Sequence, residues 1–400
     1  SHLLLIFFCE ILNIQPFEAS LQSLYTHPAK RLGFMTLAET SKNTAQGRIG
    51  ILLTNTGTPE APTPRALRRF LAQFLSDPRV IKAPRWLWLP ILHLVILNLR
   101  PRRSARLYQH IWTPQGSPLL LTAQRQAEGL RHTLQKLGTL PIIIATGMRY
   151  GNPSIADGLR SLRDQGAEQV LIFPLFPQYS ATTTASALDA VFAEFNTWRR
   201  TPGVRTISHY YNQPAYISAL VESIRSSWEG QGTSQRLLFS FHGIPESYAQ
   251  RGDPYPQQCH TTARLVAEQL GLEEDSWQVS FQSRFGPQTW LGPHTDETLA
   301  SWGHAGVRST SVICPGFSAD CLESLHEIDS EARHVFLQAG GQHFTYIPAL
   351  NDQPVHIQAL ADIILANLAG WLNVASVDPQ ERITIHNPAP QEVTNRVPIT

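Results

Sequence analysis

The sequence predicts a doubly wound α/β protein built from two similar lobes with parallel sheets. Short apolar runs rich in β-branched residues alternate along the chain with segments of helical periodicity. Most of those runs are continuously apolar, as parallel strands covered on both faces require. An internal echo adds the second lobe. "VLIFPLFPQYSATTTASALDAVF" and "SVICPGFSADCLESLHEID" both pass from a strand through Pro and an aromatic-containing loop to Ser and a helix, and "ILLTNTG" and "LLFSFHG" both end a strand at Gly. Lobes of this kind bind ligands in the crevice outside the C-terminal ends of their strands.

In chain order the expected strands are 48–55, 141–147, 169–174, 204–210, 236–241, 277–282, 309–314 and 343–347. Helical patterns fill the intervals at 64–75, 119–137, 154–165, 184–199, 214–229, 257–270, 294–304, 320–339 and 354–371. The Pro/Gly break in "RRTPGVR" divides the first lobe, 48–202, from the second, 203–353, and a last helix occupies 354–372. Residues 373–400, polar and Pro-containing without periodicity, read as a disordered tail. Residues 1–47 read as an appendage. Within it "HLLLIFFCEILNI" is as apolar as a secretion signal, but no basic segment precedes it, Glu10 interrupts it and no small-residue cleavage site follows. Met35 opens a short polar lead into the first strand, so 1–34 is expected to lie upstream of the natural start.

Composition narrows the class. The 400 residues are 42% hydrophobic and 16% charged, with a formal net charge of +1, which excludes a nucleic-acid groove. Four cysteines (Cys9, Cys259, Cys314, Cys321) make no disulfide framework and fit a reducing, cytoplasmic setting. The apolar run "WLWLPILHLVILNL" (86–99) is too short to span a bilayer as a helix, which takes about 20 residues. It is either a half-buried helix or an apolar lip for a membrane or ligand, with Arg85, Arg100, Arg102, Arg103 and Arg106 at headgroup level.

The chemistry concentrates at two strand ends. "LLFSFHGIPESY" puts His242 where an apolar strand stops, and Gly243 and Pro245 forbid its continuation. In "CPGFSADCLESLHEIDSEA" the helix after a strand carries Asp320, Glu323 and Glu327 at i, i+3 and i+7, one face at α-helical pitch. An imidazole opposite a row of carboxylates can take protons and can hold a divalent cation; a solvated acidic face is the plain alternative. Other chemistries fail. No G-x-G-x-x-G or G-x-x-x-x-G-K-[ST] occurs, "GFSAD" lacks the second Gly of a nucleophile elbow, and Glu323-x-x-His326 is half of a di-iron motif without a second copy. Cys314 and Cys321 lack zinc-knuckle spacing and read as small buried thiols. Aromatic residues in rigid strand-end loops (Phe176, Tyr179, Phe285, Trp290), with Arg100, Arg149 and Ser117 available for acidic groups, suit a planar ring system with carboxylate arms.

These residues resemble the ferrochelatases, which catalyse the last step of haem synthesis. The similarity runs in order through "GILLTNTGTPEAPTP", "FLSDPRVI", "GSPL", "GMRYGNPSI", "PQYSATTT", "SFHGIPESY", "GDPYPQQC", "FQSRFGPQTWLGPHTDETL", "CPGFSADCLESLHEID" and "YIPALN", over about residues 48–372, in wording closest to proteobacterial members. The resemblance implies a porphyrin cleft between two Rossmann-like lobes, with the last helix packed back on the first. It implies insertion of Fe²⁺ into protoporphyrin IX with release of two protons, iron being a substrate and no permanent cofactor being needed. By motif position His242 matches the active-site histidine and Glu323 the carboxylate named with it as an iron ligand. Asp320 and Glu327 match the acidic line leading to that site. Thr56, Arg100, Ser117, Arg149, Tyr150 and Trp290 fall where the family lines its porphyrin pocket. Two departures stand out. The family's cluster-ligand position in "PQYS-C-S" is Ala181 here, and no Cys follows Cys321, so no [2Fe–2S] cluster is expected. Cys321 also replaces a histidine of animal members. A cobalt or coproporphyrin chelatase, a non-catalytic porphyrin carrier and an exported two-lobed receptor remain open at this point. The expected state is a cytoplasmic monomer, with peripheral membrane contact through 86–99 left open.

Overall fold

The computed structural model describes residues 47–372 apart from 139 and 287. Most of the N-terminal appendage, including 1–34, and the tail at 373–400 lie outside the described residues. Two four-stranded parallel sheets form the framework. The first contains β1 (Arg48–Gly57), β2 (Ile142–Tyr150), β3 (Ala167–Pro174) and β4 (Gly203–Thr206), in the order β2-β1-β3-β4. The second contains β5 (Arg236–His242), β6 (Trp277–Gln282), β7 (Ser309–Ile313) and β8 (His343–Ile347), in the order β6-β5-β7-β8. Each sheet places its first strand between its second and third, with the fourth outermost. That shared order is the structural content of the sequence echo.

The apolar runs are continuous because the central strands are buried on both faces. Ile49, Ile51, Leu52 and Leu53 of β1, and Leu237, Leu238, Phe239 and Phe241 of β5, are all at most 2% exposed. The division at 202/203 needs correcting. Val204–Thr206 pairs with Val170–Ile172 of β3, so the fourth strand of the first sheet lies beyond the Pro/Gly break. Tyr210 is a core residue rather than the end of that strand. The largest apolar cluster spans both sheets, joining Leu53 and Phe173 to Phe239, Phe281 and Ile313. The Pro354–Asn367 helix completes it, with Ile357, Leu360 and Ile364 packed among Ala127, Leu130 and Leu134 of the Pro118–Gln135 helix. Gly129 lies under Ile357, where a Cβ would come within 3.1 Å of that side chain.

At the start of this last helix His356 is 1% exposed and donates Nδ1–H to the Asn351 carbonyl (2.7 Å). Burial lowers its pKa from 6.5 to about 4, against the opposing effect of that hydrogen bond. The unfolded chain therefore takes up a proton between pH 6.5 and 4 that the folded chain refuses. Stability falls as pH drops through that window, by about 3 kcal/mol in total. Urea unfolding at pH 7 and pH 4.5 should show a smaller acid loss in His356→Gln than in the wild type. Equal losses would contradict the assignment.

The apolar run at 86–99 is longer than expected and irregular. A helix at Arg85–Ile91 continues through a π-helical turn, Leu92–Ile96, into a helix at Leu97–Ile111. Pro101 cannot donate to the Leu97 carbonyl, and Arg68 Nη1 does so instead at 2.5 Å. Leu92, Leu97 and Ala105 pack with Leu67 and Leu71 of the Pro64–Ser76 helix, and Trp88 Nε1 donates to the Leu75 carbonyl at 2.7 Å. The outer face is bare: Trp86 is 79% exposed, Leu94 73% and Leu99 72%. Among the described residues no helix is long and apolar enough to cross a membrane.

Candidate active site

The C-terminal ends of β5, β6 and β7 build the site. At the end of β5 His242 stands opposite Gln282, the last residue of β6. Gly243 then donates its N–H to the Gln282 carbonyl at 2.8 Å. A Cβ on Gly243 would lie 2.9 Å from that oxygen and 3.3 Å from Cε3 of Trp290, so only glycine permits both approaches. His242 Nδ1 lies 2.7 Å from the Gly243 carbonyl. A carbonyl can only accept, so Nδ1 carries the proton and Nε2 keeps a free lone pair.

The opposite wall is a ten-residue π-helix, Glu323–Ala332. A π-helix makes about 4.4 residues per turn, so residues four apart stay in line and the expected i, i+3, i+7 row does not form. Glu323 and Glu327 share a face, and Glu331 continues it outward, 63% exposed and missed in the sequence. Asp320 does not join them. It is 8% exposed and precedes the helix, where its carboxylate accepts from Ser324 (2.8 Å), Tyr346 (2.5 Å), Asn351 Nδ2 (2.7 Å) and the Ala349 N–H (3.3 Å). With its lone pairs so occupied, Asp320 is a clamp between the helix start and the segment after β8.

Two residues overlooked in the sequence hold the acid row in place. Gln282 donates Nε2–H to the Glu323 carbonyl (2.9 Å), and its Oε1 accepts from the Ser240 hydroxyl (2.7 Å). Ser283 next to it is left-handed, with φ of 66°, an uncommon conformation for a residue with a Cβ. That turn aims both its N–H (2.6 Å) and its hydroxyl at the Glu327 carboxylate. Burial pushes the Glu327 carboxyl above its usual range, while hydrogen bonds from Ser283, joined by the charge of His242 whenever its imidazole holds a second proton, pull it down and only partly compensate. Both residues lie inside "FQSRFG", but hydrogen-bonding side chains leave no periodic mark.

The expected wall residues divide into two groups. Thr56 is half-buried at the end of β1, and half-buried Trp290 donates Nε1–H to the Phe285 carbonyl at 2.8 Å. Arg100 stacks over the Phe285 ring at 4.4 Å, joining the lip helix to the loop after β6; burial, then the Arg103 charge, lowers its pKa. The other three are engaged internally. Ser117 is 4% exposed and donates its hydroxyl to Thr58 at 2.9 Å. Tyr150 is 2% exposed, packs edge-on against Phe70 and Phe74, and donates its hydroxyl to Asp77 at 2.8 Å. It is a core residue behind the wall. Arg149 pairs with Asp77 at 2.5 Å and donates to Ser186 at 2.7 Å. Burial alone would raise the Asp77 pKa, but hydrogen bonds from Ser186, Arg79 N–H and Tyr150, with the Arg149 charge, hold it below the usual range. Cys259, Cys314 and Cys321 are free and buried, and burial pushes their thiols well up. Among the described residues no three His, Cys, Asp or Glu side chains are assembled as a metal site. A groove of about 620 Å³ lies elsewhere, lined by Ile142–Thr146 in the N-terminal half of β2.

A family model described as Ferrochelatase matches residues 48–368. The chain belongs to the ferrochelatase family. The ferrochelatase of Thioalkalivibrio sulfidiphilus is 51% identical over 323 residues, covering 81% of this chain and 88% of that protein. That of Nitrosococcus oceani is 52% identical over 324 residues, with the same coverage of each. Among solved structures, one titled "SirB from Bacillus subtilis with Fe3+" aligns at 13% identity and a TM-score of 0.49, covering 80% of this chain and 96% of that one. Within the ferrochelatase-family region of this chain, His242, Glu323 and Glu327 come from the strand ends and the helix that follows β7. Asp320 and Tyr150 stand apart from that surface.

Proposed function

We propose that this chain is a ferrochelatase that inserts Fe²⁺ into protoporphyrin IX to give protohaem, releasing two protons in the terminal step of haem biosynthesis. Membership of the family supports the reaction. The single structural observation that carries the reading is the free Nε2 of His242 beside the Glu327 and Glu323 face of the π-helix.

The chemistry demands this pairing. A free porphyrin presents four coplanar nitrogens, two of them protonated. The ring must buckle so that lone pairs point out of plane, and both N–H bonds must break as the metal–nitrogen bonds form. Trp290, Thr56, Arg100 and the aromatic loop residues hold the ring and impose the distortion. His242 Nε2 accepts a proton or holds the arriving ion, and Glu323 neutralises and delivers Fe²⁺. Glu327, held by Ser283, carries protons outward toward Glu331 and solvent. Arg149 and Ser117 act from behind the surface by fixing Asp77 and Thr58. Iron is substrate, and no resident cofactor is invoked.

Anaerobic absorption spectra of the purified chain with porphyrin and metal test the reading. Catalytic metalloporphyrin formation with Fe²⁺ and protoporphyrin IX supports it. Turnover only with Co²⁺ or only with coproporphyrin makes it a chelatase of another specificity, and stoichiometric binding without turnover makes it a carrier.

We further propose that the cytoplasmic, monomeric enzyme rests on a membrane through Trp86, Leu87, Ile91, Leu94, Val95 and Leu99. All six are exposed, with Arg102, Arg103 and Arg106 exposed beside them. Flotation with anionic vesicles should recover the wild type, and the Trp86→Glu/Leu94→Glu variant should bind at least about tenfold more weakly. Equal flotation of both would contradict the lip.

A further inference from the structure

Outside the proposed insertion site, two imidazoles from different lobes face each other. His110 comes from the Leu97–Ile111 helix of the lip and is exposed, and His326 comes from the Glu323–Ala332 π-helix. Their ring centres are 5.8 Å apart with the planes tilted by 52°. Two imidazoles that ligate one tetrahedral ion through bonds of about 2.0–2.1 Å hold their ring centres about 5 Å apart, so a small side-chain adjustment brings this pair onto one ion.

A third group stands behind the pair. Glu331 Oε1 lies 3.6 Å from Nδ1 of His326, too far for a hydrogen bond but close enough to favour the proton on that nitrogen. Nε2 is then the lone-pair donor, the arrangement in which a carboxylate fixes the tautomer and orientation of a metal-binding histidine. Glu323, the other residue of the half-motif Glu323-x-x-His326, serves the inner site, and the reading of that site gives His326 no role.

We propose that His110 and His326, with Glu331 oriented behind His326, form a peripheral site for a borderline divalent cation such as Zn²⁺. Two neutral imidazoles select such an ion over Mg²⁺ or Ca²⁺, which demand oxygen donors. Water fills the remaining positions, so the site stays open and exchangeable. The ion bridges the lip helix to the π-helix and ties the first lobe to the second at the outer end of the acid row. This inference stands on the facing rings and does not depend on the reaction assigned to the inner site.

The test is a calorimetric titration of the untagged full chain with Zn²⁺ alone. His110→Ala and His326→Ala should each weaken one site by at least about tenfold, the double variant should lose little more than either, and Glu331→Gln should weaken the same site by about tenfold. Glu323→Gln should leave this site intact while altering the inner one. As a control for folding, the melting temperature of each single variant in EDTA should match the wild type, with the Zn²⁺-induced rise reduced in each. Wild-type isotherms in both single variants, or losses that add as two independent sites, would overturn the proposal.

Discussion

His242→Ala should lower the rate of metal insertion by about 10²–10⁴, the usual effect of removing a positioned proton acceptor. The fold should survive, because His242 is half-buried and its imidazole hydrogen-bonds to the neighbouring Gly243 carbonyl, a contact within its own loop. β5 keeps its ladder to β6 and β7 through the backbone. Porphyrin binding should also survive, since Trp290 packs on Gly243 and Arg100 on Phe285, neither through the imidazole. The expected signature is therefore a loss in kcat with porphyrin affinity within a few-fold of the wild type. Retention of more than about a tenth of the wild-type rate would remove His242 from the chemistry.

Asp320→Ala should have the opposite signature. The Asp320 carboxylate gathers the Ser324 and Tyr346 hydroxyls, the Asn351 amide and the Ala349 N–H, and its own N–H donates to Asn351 Oδ1 at 2.9 Å. Alanine would take this acceptor from the Tyr346 hydroxyl, the Asn351 amide and the Ala349 N–H, and leave the Ser324 hydroxyl only the longer contact to the Cys321 carbonyl, at a cost of about 3 kcal/mol or more. Denaturant unfolding should register that loss, while the insertion rate per folded molecule stays within about tenfold of the wild type. Asp320→Asn, which keeps one acceptor oxygen, should fall between. Full stability with insertion abolished would return Asp320 to the acid row.

The framework was legible because buried parallel strands write themselves as continuous apolar runs. β6 and β8 match their expected bounds, and the other strands except β4 differ by a residue or a few at their ends. β4 was misjudged because its short pairing with β3 follows a Pro/Gly break that resembles a linker. The lip is legible only to 99, where the apolar run ends; the folded chain carries the helix on through Pro101 and brings Arg68 to the carbonyl that Pro101 leaves unpaired. At the site, His242 and Glu323 could be singled out from strand ends and motif position. Their neighbours could not. Periodicity at α-helical pitch aligned Asp320 with Glu323 and Glu327, whereas the π-helix aligns Glu323, Glu327 and Glu331. Tyr150 sits in a family motif, yet its side chain turns inward to Phe70, Phe74 and Asp77. The left-handed Ser283 that grips Glu327 has no counterpart in any pattern of hydrophobicity.

The most direct test of the account compares wild type with Glu323→Gln under anaerobic conditions, following protoporphyrin IX absorption after addition of Fe²⁺. Glutamine keeps the shape of the side chain and its backbone contact with Gln282, and removes only the charge that would neutralise the incoming ion. Many turnovers to protohaem by the wild type, with the variant slowed by at least about a hundredfold and still binding porphyrin, is the expected result. Equal turnover by both proteins would place iron delivery somewhere other than the π-helix face opposite His242.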